Sequence, residues 1–212
     1  GKTFILLAMA ELLKFSVVVV CPASAEHDWN YRMNNMSNVN GIVISYDALR
    51  GNKEGVLKHG LLERKKIIKR KLDQVTSSIR YEPTKMLTDM FSKGTIVVFD
   101  EAHALKNSTL QSKAAKSLVS LLPNYKWSRC MLLSASLFDR EHHSINYLKL
   151  LGFIKQYKKV YVKNGSSILF QGLQEVIDSA MKIDPVKTMT ILRSSTSYTA
   201  SSITEISCKL FV

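Results

Sequence analysis

The segment Thr95–Asn107, TIVVFDEAHALKN, decides the fold prediction, because a run of apolar residues ends abruptly in two carboxylates. Ile96–Phe99 is apolar throughout, which is typical of a strand buried on both faces of a parallel sheet. Asp100 and Glu101 follow directly, and adjacent carboxylates there are costly unless a cation meets them. A solvent-exposed acidic turn is the simpler alternative. Working residues of parallel α/β sheets gather at the carboxyl ends of the strands, so we expect a functional edge here.

Three other apolar runs predict strands that pair with Ile96–Phe99, and helical stretches separate them. The strands are SVVVVC beginning at Ser16, Ile42–Ser45, and RCMLL beginning at Arg129. Phe4–Lys14 contains helix formers and no breaker, so we expect a buried helix before the first strand. Apolar strands that alternate with helices predict an α/β fold, with a mostly parallel sheet and helices on both faces.

Two further helices are indicated later in the chain. The segment STLQSKAAKSLVSLLP has helical spacing, with Ser108 or Thr109 as its N-cap and an end before Pro123. The segment HHSINYLKLLGF predicts another helix, closed by Gly152. Ser194–Ser207 is rich in serine and threonine and is typical of a surface segment or linker.

The stretch Val56–Gln74, VLKHGLLERKKIIKRKLDQ, carries closely spaced cations and has the pattern of a helix. The cations are Arg64, Lys65, Lys66, Lys69, Arg70 and Lys71. A solvated helix face is the simpler interpretation of such a run. The alternative is a basic helical insertion, at residues 53–93, that grips a nucleic-acid backbone.

The whole chain shares this excess of positive charge. Its 212 residues include 30 lysines and arginines against 17 acids, which gives a formal charge of +13 and a pI near 9.7. We expect a polyanionic partner, because neutralising phosphates releases condensed counterions. A basic surface without a nucleic-acid role is the alternative. The composition, 46% hydrophobic and 22% charged, is ordinary for a globular protein with a sizeable core.

Cysteine spacing and the length of apolar runs limit the class of protein. Cys21, Cys130 and Cys208 are widely separated and odd in number, which predicts neither a disulfide framework nor a zinc site. No apolar run approaches the ~20 residues of a transmembrane helix, and no signal peptide is recognised. We therefore expect no membrane partner and an intracellular location, in the nucleus or cytoplasm, or in a virion if the protein is viral.

Gly1, Lys2 and Thr3 match the last positions of the phosphate-binding loop GxxxxGK[ST]. In such a loop the glycine admits the phosphates, Lys2 would contact the β- and γ-phosphates, and Thr3 would offer its hydroxyl to Mg²⁺. The positive end of the following helix would favour the anion. The strand and glycine loop that belong before this tripeptide are missing from the sequence, so we expect an incomplete cradle.

The same chemistry gives the two acids of the opening segment a role. A Mg²⁺ ion that is mostly water-coordinated and bound to nucleotide phosphates would neutralise both carboxylates. Asp100 would hold the magnesium shell, and Glu101 would orient and deprotonate the attacking water. The acids therefore predict Mg²⁺ together with a nucleotide, which the family resemblance described next implies is ATP.

The order of these motifs resembles that of superfamily 2 helicases and translocases. GKT, DEAH and LLSAS match motifs I, II and III, VVVVCPAS resembles motif Ia, and VISYDALR resembles the segment that follows it. DEAHALKN is closer still to motif II of Swi/Snf-type duplex-DNA translocases, and the compact, divergent motifs also suggest helicases of large DNA viruses. LFDREHHSINYLKLLGF resembles a helix of the same family. The resemblance spans most of Gly1–Phe153 and implies a RecA-like P-loop NTPase lobe.

The resemblance also implies three groups of site residues. The ATP phosphates and Mg²⁺ would be contacted by Gly1, Lys2, Thr3, Asp100 and Glu101. Nucleotide state would be coupled to the nucleic-acid groove by His103, Ser134, Ala135 and Ser136. A phosphate backbone would pass along Pro22, Ala23, Ser24, Ser45 and Tyr46, whose amides and hydroxyls read no base sequence.

Some features depart from the family pattern. Ser134–Ser136 reads Ser-Ala-Ser, closer to the Ser-Ala-Thr of helicases than to the Gly-Thr-Pro of Swi/Snf proteins, and Leu137–Asp139 replaces the usual Pro-hydrophobic-Gln-Asn. The resemblance assigns residues 1–193 to the first RecA-like lobe and 194–212 to the start of an interlobe linker. The second lobe is absent from the sequence. Because that lobe supplies arginine fingers, which contribute ~10³–10⁵ in rate, we expect weak or absent ATP turnover by this chain alone.

These observations favour a nucleic-acid-stimulated ATPase that acts on duplex DNA. An RNA helicase of the same superfamily is one alternative. The other is a non-catalytic, basic nucleic-acid-binding or assembly module that has kept the fold and lost hydrolysis.

Overall fold

A computed structural model describes residues 1–36, 38–71, 74–135, 141–162, 165–171 and 173–194. The chain divides into two compact units, Gly1–Ala135 and Ser136–Val212, which are described separately below. The single lobe expected at residues 1–193 spans both units, and its extent stays a prediction.

The first unit contains a parallel sheet, a β-ribbon and five α-helices among its described residues. In chain order its elements are α1 (Lys2–Leu13), β1 (Ser16–Cys21), α2 (Glu26–Met36), β2 (Gly41–Ser45), α3 (Tyr46–Arg50), β3 (Gly55–Val56), β4 (Leu62–Lys71), β5 (Gln74–Pro83), α4 (Lys85–Ser92), β6 (Thr95–Asp100), α5 (Leu110–Val119) and β7 (Arg129–Leu133). Short 3₁₀ turns follow β1, β6 and α5.

The sheet has four parallel strands in the order β2-β1-β6-β7. Val19 pairs with Val43 on one side and with Val98 on the other, so the apolar runs of the sequence lie next to one another. The sequence prediction of an α/β fold with a mostly parallel sheet is therefore confirmed. The helix expected at Phe4–Lys14 is also confirmed, as α1.

Both faces of this sheet are buried. On one face, residues of α1 and α2 form a cluster with alternate strand residues: Leu6, Leu7, Ala10, Trp29 and Met33 pack with Val17, Val19, Cys21, Ile96 and Val98. The intervening residues Val18, Val20, Val97 and Phe99 belong to the opposite face and have 0% exposure. Burying a valine side chain completely contributes roughly 1.5–3 kcal/mol, so these strands anchor the unit.

The helix predicted across the basic stretch is wrong. Leu62–Lys71 and Gln74–Pro83 form an antiparallel ribbon, and among the described residues of 53–93 the α-helical part is Lys85–Ser92. The stretch contains the β-branched pair Ile67 and Ile68. It faces a partner strand, QVTSSIRYEP, that is rich in strand-forming residues. Cross-strand pairing over ten residue pairs therefore outweighs the helix propensity of the lysines and arginines.

The second unit contains, among its described residues, α6 (Glu141–Leu150), β8 (Lys155–Val162), β9 (Gly165–Gln171), α7 (Leu173–Ile183) and α8 (Pro185–Ser194). The helix predicted from HHSINYLKLLGF is confirmed as α6, and Gly152 follows it at φ 79°. β8 and β9 form an antiparallel pair, while Ile145, Leu148, Ile154 and Val176 make a small core. The expected linker beyond Ser194 lies outside the described residues.

None of the described helices combines the length and the apolar character that crossing a bilayer requires. Gly94, at φ 90°, makes the turn into β6, where its C=O accepts a hydrogen bond from Ser16 N at 3.1 Å. This turn fixes the amino edge of the sheet, and the predicted site residues lie at the other edge.

Candidate functional site

The ends of the four parallel strands bring the predicted site residues to one edge of the sheet. Cys21 pairs with Ser45, and Asp100 pairs with Leu133, so the ends of β1, β2, β6 and β7 are in register. The segments that follow these ends contain Pro22, Tyr46, Glu101 and Ser134. Parallel topology alone therefore gathers residues that are far apart in sequence.

Asp100 is held on three sides. Its Oδ2 accepts a hydrogen bond from Trp29 Nε1 at 2.8 Å, and its Oδ1 accepts one from Glu101 N at 3.0 Å. Its backbone C=O accepts from the Tyr46 hydroxyl at 2.8 Å. An ionised carboxylate has about four acceptor positions, so Asp100 keeps lone pairs for a further ligand. The carboxylate is thus fixed in orientation, and some of its hydrogen-bond acceptor positions remain unoccupied by these contacts.

Glu101 adopts a left-handed backbone conformation, with φ 49° and ψ 51°. This conformation costs a non-glycine residue roughly 1–2 kcal/mol. It turns the chain out of β6 and into the 3₁₀ turn Ala102–Leu105, and the Glu101 side chain remains 41% exposed. Strain of this kind is concentrated at functional positions, which supports a role for Glu101 beyond folding.

His103 links the ends of β6 and β7. Its Nδ1 lies 3.1 Å from Glu101 Oε2 and 3.5 Å from Ser134 Oγ. Two of the residues expected to couple nucleotide and nucleic-acid sites, His103 and Ser134, are therefore adjacent. Ala135 is exposed at the end of the first unit, and Ser136 lies outside the described residues.

The residues expected along a phosphate backbone differ in exposure. Ser24 is exposed in the 3₁₀ turn Ala23–Ala25, which Pro22 precedes in an extended conformation. Ser45 is 8% exposed, and its hydroxyl caps α3 by accepting a hydrogen bond from Ala48 N at 3.3 Å. Tyr46 is 5% exposed and donates to Asp100. Ser45 and Tyr46 thus have internal partners, whereas Ser24 faces solvent.

Gly1, Lys2 and Thr3 lie at the start of α1, at the same edge as Asp100. The helix leads into β1 through Lys14, and Glu11 and Lys14 lie with Gly94 around one groove at the amino edge, so helix and strand run in opposite directions. A helix of 12 residues is about 18 Å long and a strand of 6 residues about 20 Å, so the start of α1 is level with the end of β1. Lys2 is exposed and Thr3 is half-buried.

The donor set at this edge suits magnesium better than a softer metal. Among the described residues, no group of three or more histidine, cysteine, aspartate or glutamate side chains is placed to hold a metal ion. Mg²⁺ needs less than that, because it is commonly bound through one or two carboxylates together with water and substrate phosphates. Asp100, with lone pairs free on both oxygens, and the Thr3 hydroxyl fit this requirement.

The thiol at the end of β1 is chemically inert. Burial raises the pKa of Cys21 to about 12, and the negative charges of Glu26 and Asp100 act in the same direction. A thiol with such a pKa is protonated at neutral pH and is a poor nucleophile. Covalent catalysis through Cys21 is therefore not part of the chemistry of this edge.

Sequence reasoning missed the role of Trp29 and the contact of Tyr46 with Asp100. Trp29 is the one tryptophan in a polar helix, EHDWNYRMNNM, and it precedes Met33 by one helical turn. That spacing predicts burial, and Trp29 is indeed 2% exposed. The indole donor reaches Asp100 only through tertiary folding, which no local signal encodes.

A groove of about 990 Å³ lies at the opposite, amino edge of the sheet, where Phe15, Asn40 and Gly94 contribute to its lining. None of the residues that line this groove is a predicted site residue. Comparisons with protein-family models, with curated proteins and with solved structures find no match for this chain. The function is therefore argued from the carboxyl edge itself.

Proposed function

We propose that this chain is the ATP-binding lobe of a nucleic-acid-stimulated ATPase of the superfamily 2 helicase and translocase type. The observation that carries the proposal is the Asp100–Glu101 pair at the end of a fully buried parallel strand, at the same edge as the start of α1. Phosphate hydrolysis with magnesium requires a carboxylate for the metal, a carboxylate for the water and a cation near a helix start. Asp100, Glu101 and Lys2 are the residues of these types at this edge.

Phosphate binding would rest on the start of α1. The backbone N–H groups there lack intrahelical partners and carry partial positive charge, so they attract an anion. Lys2 would add a full positive charge, while the Thr3 hydroxyl and Asp100 would hold the Mg²⁺ shell. Bound Mg²⁺ would neutralise charge on the phosphates. The hydrogen bond from Trp29 keeps the Asp100 carboxylate in one orientation, so less reorganisation is needed on binding.

Water activation would fall to Glu101. Its exposed carboxylate would accept a proton from the attacking water, and the left-handed backbone directs this side chain away from the strand. His103 lies against Glu101 Oε2 and near Ser134, so movement of the β7 end would alter the position of the base. This contact is the physical basis for coupling hydrolysis to a second site.

The nucleic-acid partner is supported by charge and by resemblance. A formal charge of +13 favours a polyanion, and the form of DEAHALKN favours duplex DNA over RNA. We place the protein inside the cell, in the nucleus or cytoplasm, or in a virion if it is viral. A second RecA-like lobe, carried by the same or another chain, would complete the catalytic centre.

The test is Mg²⁺-dependent binding of a fluorescent ATP analogue, measured for the chain and for three variants. Lys2→Ala and Asp100→Asn should weaken binding about tenfold or more, a loss of about 1.4 kcal/mol. Glu101→Gln should retain binding and lower any DNA-stimulated turnover. Asp89→Asn, an exposed acid at the amino edge, is the matched control and should change neither quantity.

The outcomes separate the alternatives. Nucleotide binding that is equal in all variants, or undetectable even after an upstream glycine loop is restored, would exclude the ATPase and leave the non-catalytic nucleic-acid-binding module. Stimulation by duplex RNA and not by DNA would favour the RNA helicase. Lys2 takes no part in the hydrogen bonds around Asp100, so Lys2→Ala remains informative if Asp100→Asn loses stability.

A further inference from the structure

The ribbon formed by Leu62–Lys71 and Gln74–Pro83, called here the basic ribbon, carries cationic, hydroxyl and apolar side chains over most of its length. Lys66 and Lys69 are exposed on one strand, and Thr76, Ser77 and Ser78 are exposed on the other. Lys69 pairs with Thr76 in the register. The described residues 64–71 and 74–81 contain no aspartate or glutamate.

The acids of the basic ribbon, Glu63 and Glu82, lie at its root, which is the end where Leu62 pairs with Pro83. Lys65 Nζ lies 3.3 Å from Glu63 and 2.5 Å from Glu82, and Arg80 lies 3.4 Å from the same Glu82. The hydrogen bond from Lys65 lowers the pKa of Glu82, which keeps this carboxylate ionised. The root is therefore close to neutral, and the positive charge that remains unneutralised lies farther along the strands.

A second donor surface adjoins the root. α5 packs against β5, and a groove of about 310 Å³ lies between them. The residues that line it are Ile79, Arg80, Tyr81, Lys113, Lys116, Ser117 and Ser120. All charged members of this set are positive, and Lys66 is the cross-strand partner of Ile79. Lys66 therefore lies on the face of the ribbon that carries Ile79, a residue of the groove, while Lys69 and Thr76 lie on the other face.

The root is held in place by buried side chains and hydrogen bonds within the first unit. Leu62 is fully buried, and Tyr81 is 4% exposed with its hydroxyl donating to the Arg50 C=O at 2.7 Å. Thr84, which follows β5, donates to the Gly60 C=O at 2.5 Å. A surface that is ordered before binding avoids part of the entropy cost of association.

We infer that the basic ribbon and the α5 groove bind the sugar–phosphate backbone of duplex DNA. Ammonium and hydroxyl donors match phosphate oxygens and carry no base specificity, and a two-stranded ribbon fits the width of the major groove. The exposed Ile68 pairs with Ser77 across the ribbon, and the exposed Val75 pairs with Arg70. Two apolar residues with polar cross-strand partners do not form the apolar face that a membrane surface would need. The choice of duplex DNA as the polyanion rests on the proposed function.

The experiment measures binding of a fluorescent DNA duplex of about 20 base pairs, two helical turns, over a range of salt concentrations without nucleotide. Two double variants remove exposed lysines: Lys66→Gln with Lys69→Gln on the ribbon, and Lys113→Gln with Lys116→Gln on the groove. Each lost phosphate contact should lower the slope of log K against log salt by about 0.9. Each pair should therefore lower it by about 1.8.

The matched control is Lys85→Gln with Lys93→Gln, which removes the same charge at the amino edge and should leave the slope unchanged. A slope that changes equally in the control, or in none of the variants, would overturn the inference. Tighter binding to phosphatidylserine vesicles than to DNA would also overturn it. Nucleotide binding is measured separately, so a ribbon that fails to bind DNA leaves the proposed ATPase standing, and the converse result leaves the ribbon standing.

Discussion

Trp29 and Asp100 are 71 positions apart in the sequence, yet the indole Nε1 donates a 2.8 Å hydrogen bond to the carboxylate Oδ2. Trp29 belongs to the helix after β1, whereas Asp100 ends β6, so this contact joins two elements at the carboxyl edge. A buried donor bonded to a partly exposed acid fixes the acid, and each carboxylate oxygen, with one hydrogen bond, keeps a further acceptor position. The contact therefore ties the packing of the core to the geometry of the proposed site.

Trp29→Phe should lower the free energy of unfolding by about 1–3 kcal/mol, because it removes the donor and leaves a void in a closely packed cluster. It should also weaken Mg²⁺-ATP binding, since Asp100 would lose its fixed orientation. Urea unfolding and nucleotide titration measure the two effects. Trp127→Phe, at a side chain 56% exposed, is the control and should remain within about 0.5 kcal/mol of the parent protein. Equal changes in both variants would contradict the role given to Trp29.

Glu101→Gly should be about 1 kcal/mol more stable than Glu101→Ala, because glycine adopts the left-handed conformation without steric strain. Both variants should abolish any DNA-stimulated ATP turnover if Glu101 is the base. Lys14, the other described non-glycine residue with positive φ, provides the comparison. Lys14→Gly should exceed Lys14→Ala in stability by a similar amount, and neither variant should affect hydrolysis. Loss of hydrolysis in Lys14→Gly would show that the assay responds to a backbone change remote from the acid pair, and the losses at Glu101 could not then be assigned to its carboxylate.

Thr109→Ala should destabilise the first unit by about 1 kcal/mol, and Ser108→Ala should have little effect. The sequence left these two residues as alternative N-caps. In the structure the Thr109 hydroxyl accepts a hydrogen bond from Ser112 N at 3.2 Å, and Ser112 Oγ accepts one from Thr109 N at 2.8 Å. Thermal unfolding of the two variants checks the assignment. A larger loss in Ser108→Ala would refute it.

The stability of the first unit should fall as the pH drops below about 6.5, and His59 should contribute to this fall. Burial lowers the pKa of His59 below its usual value of 6.5, although the Leu49 backbone opposes part of the shift. The folded state therefore binds fewer protons than the unfolded state once the pH drops below 6.5. The contribution of His59 is complete above that pH, and it is lost as the pH falls through the lower, folded-state pKa.

Urea midpoints at about pH 7.5 and about pH 5.5 measure this effect. His59→Asn keeps an acceptor for the Leu61 N–H, which lies 3.1 Å from His59 Nδ1, and it should flatten the pH dependence. His27→Asn, on the exposed side of α2, should leave the dependence as it was. An identical pH dependence in all three proteins would show that His59 does not contribute to the fall in stability.

The parallel sheet could be predicted because each of its strands is apolar enough to need burial on both faces. Ile96–Phe99 and Val17–Val20 carry that signal within a few residues, and the acids at the end of β6 stand out against it. The position of Asp100 at the edge of the sheet follows from topology alone. The orientation of its carboxylate does not, because it depends on Trp29 and Tyr46, whose contacts form only in the folded chain.

The basic ribbon could not be predicted in the same way. Its first strand, LERKKIIKRK, has neither a helical nor an alternating period that is strong enough to decide, and helix propensity favours its lysines and arginines. The deciding information lies in the partner strand, where Ile79 and Tyr81 pair with Lys66 and Arg64. Non-local pairing of this kind overrides local propensity.

The short helix α3 has one further consequence, which is mechanical. Its first residue, Tyr46, donates to the Asp100 C=O, and its last residue, Arg50, accepts from Tyr81 at the root of the basic ribbon. The five residues of α3 thus join the base of the basic ribbon to the end of β6 through two hydrogen bonds accepted by backbone carbonyls. A displacement of the ribbon on binding would therefore act on the backbone of Asp100 through α3.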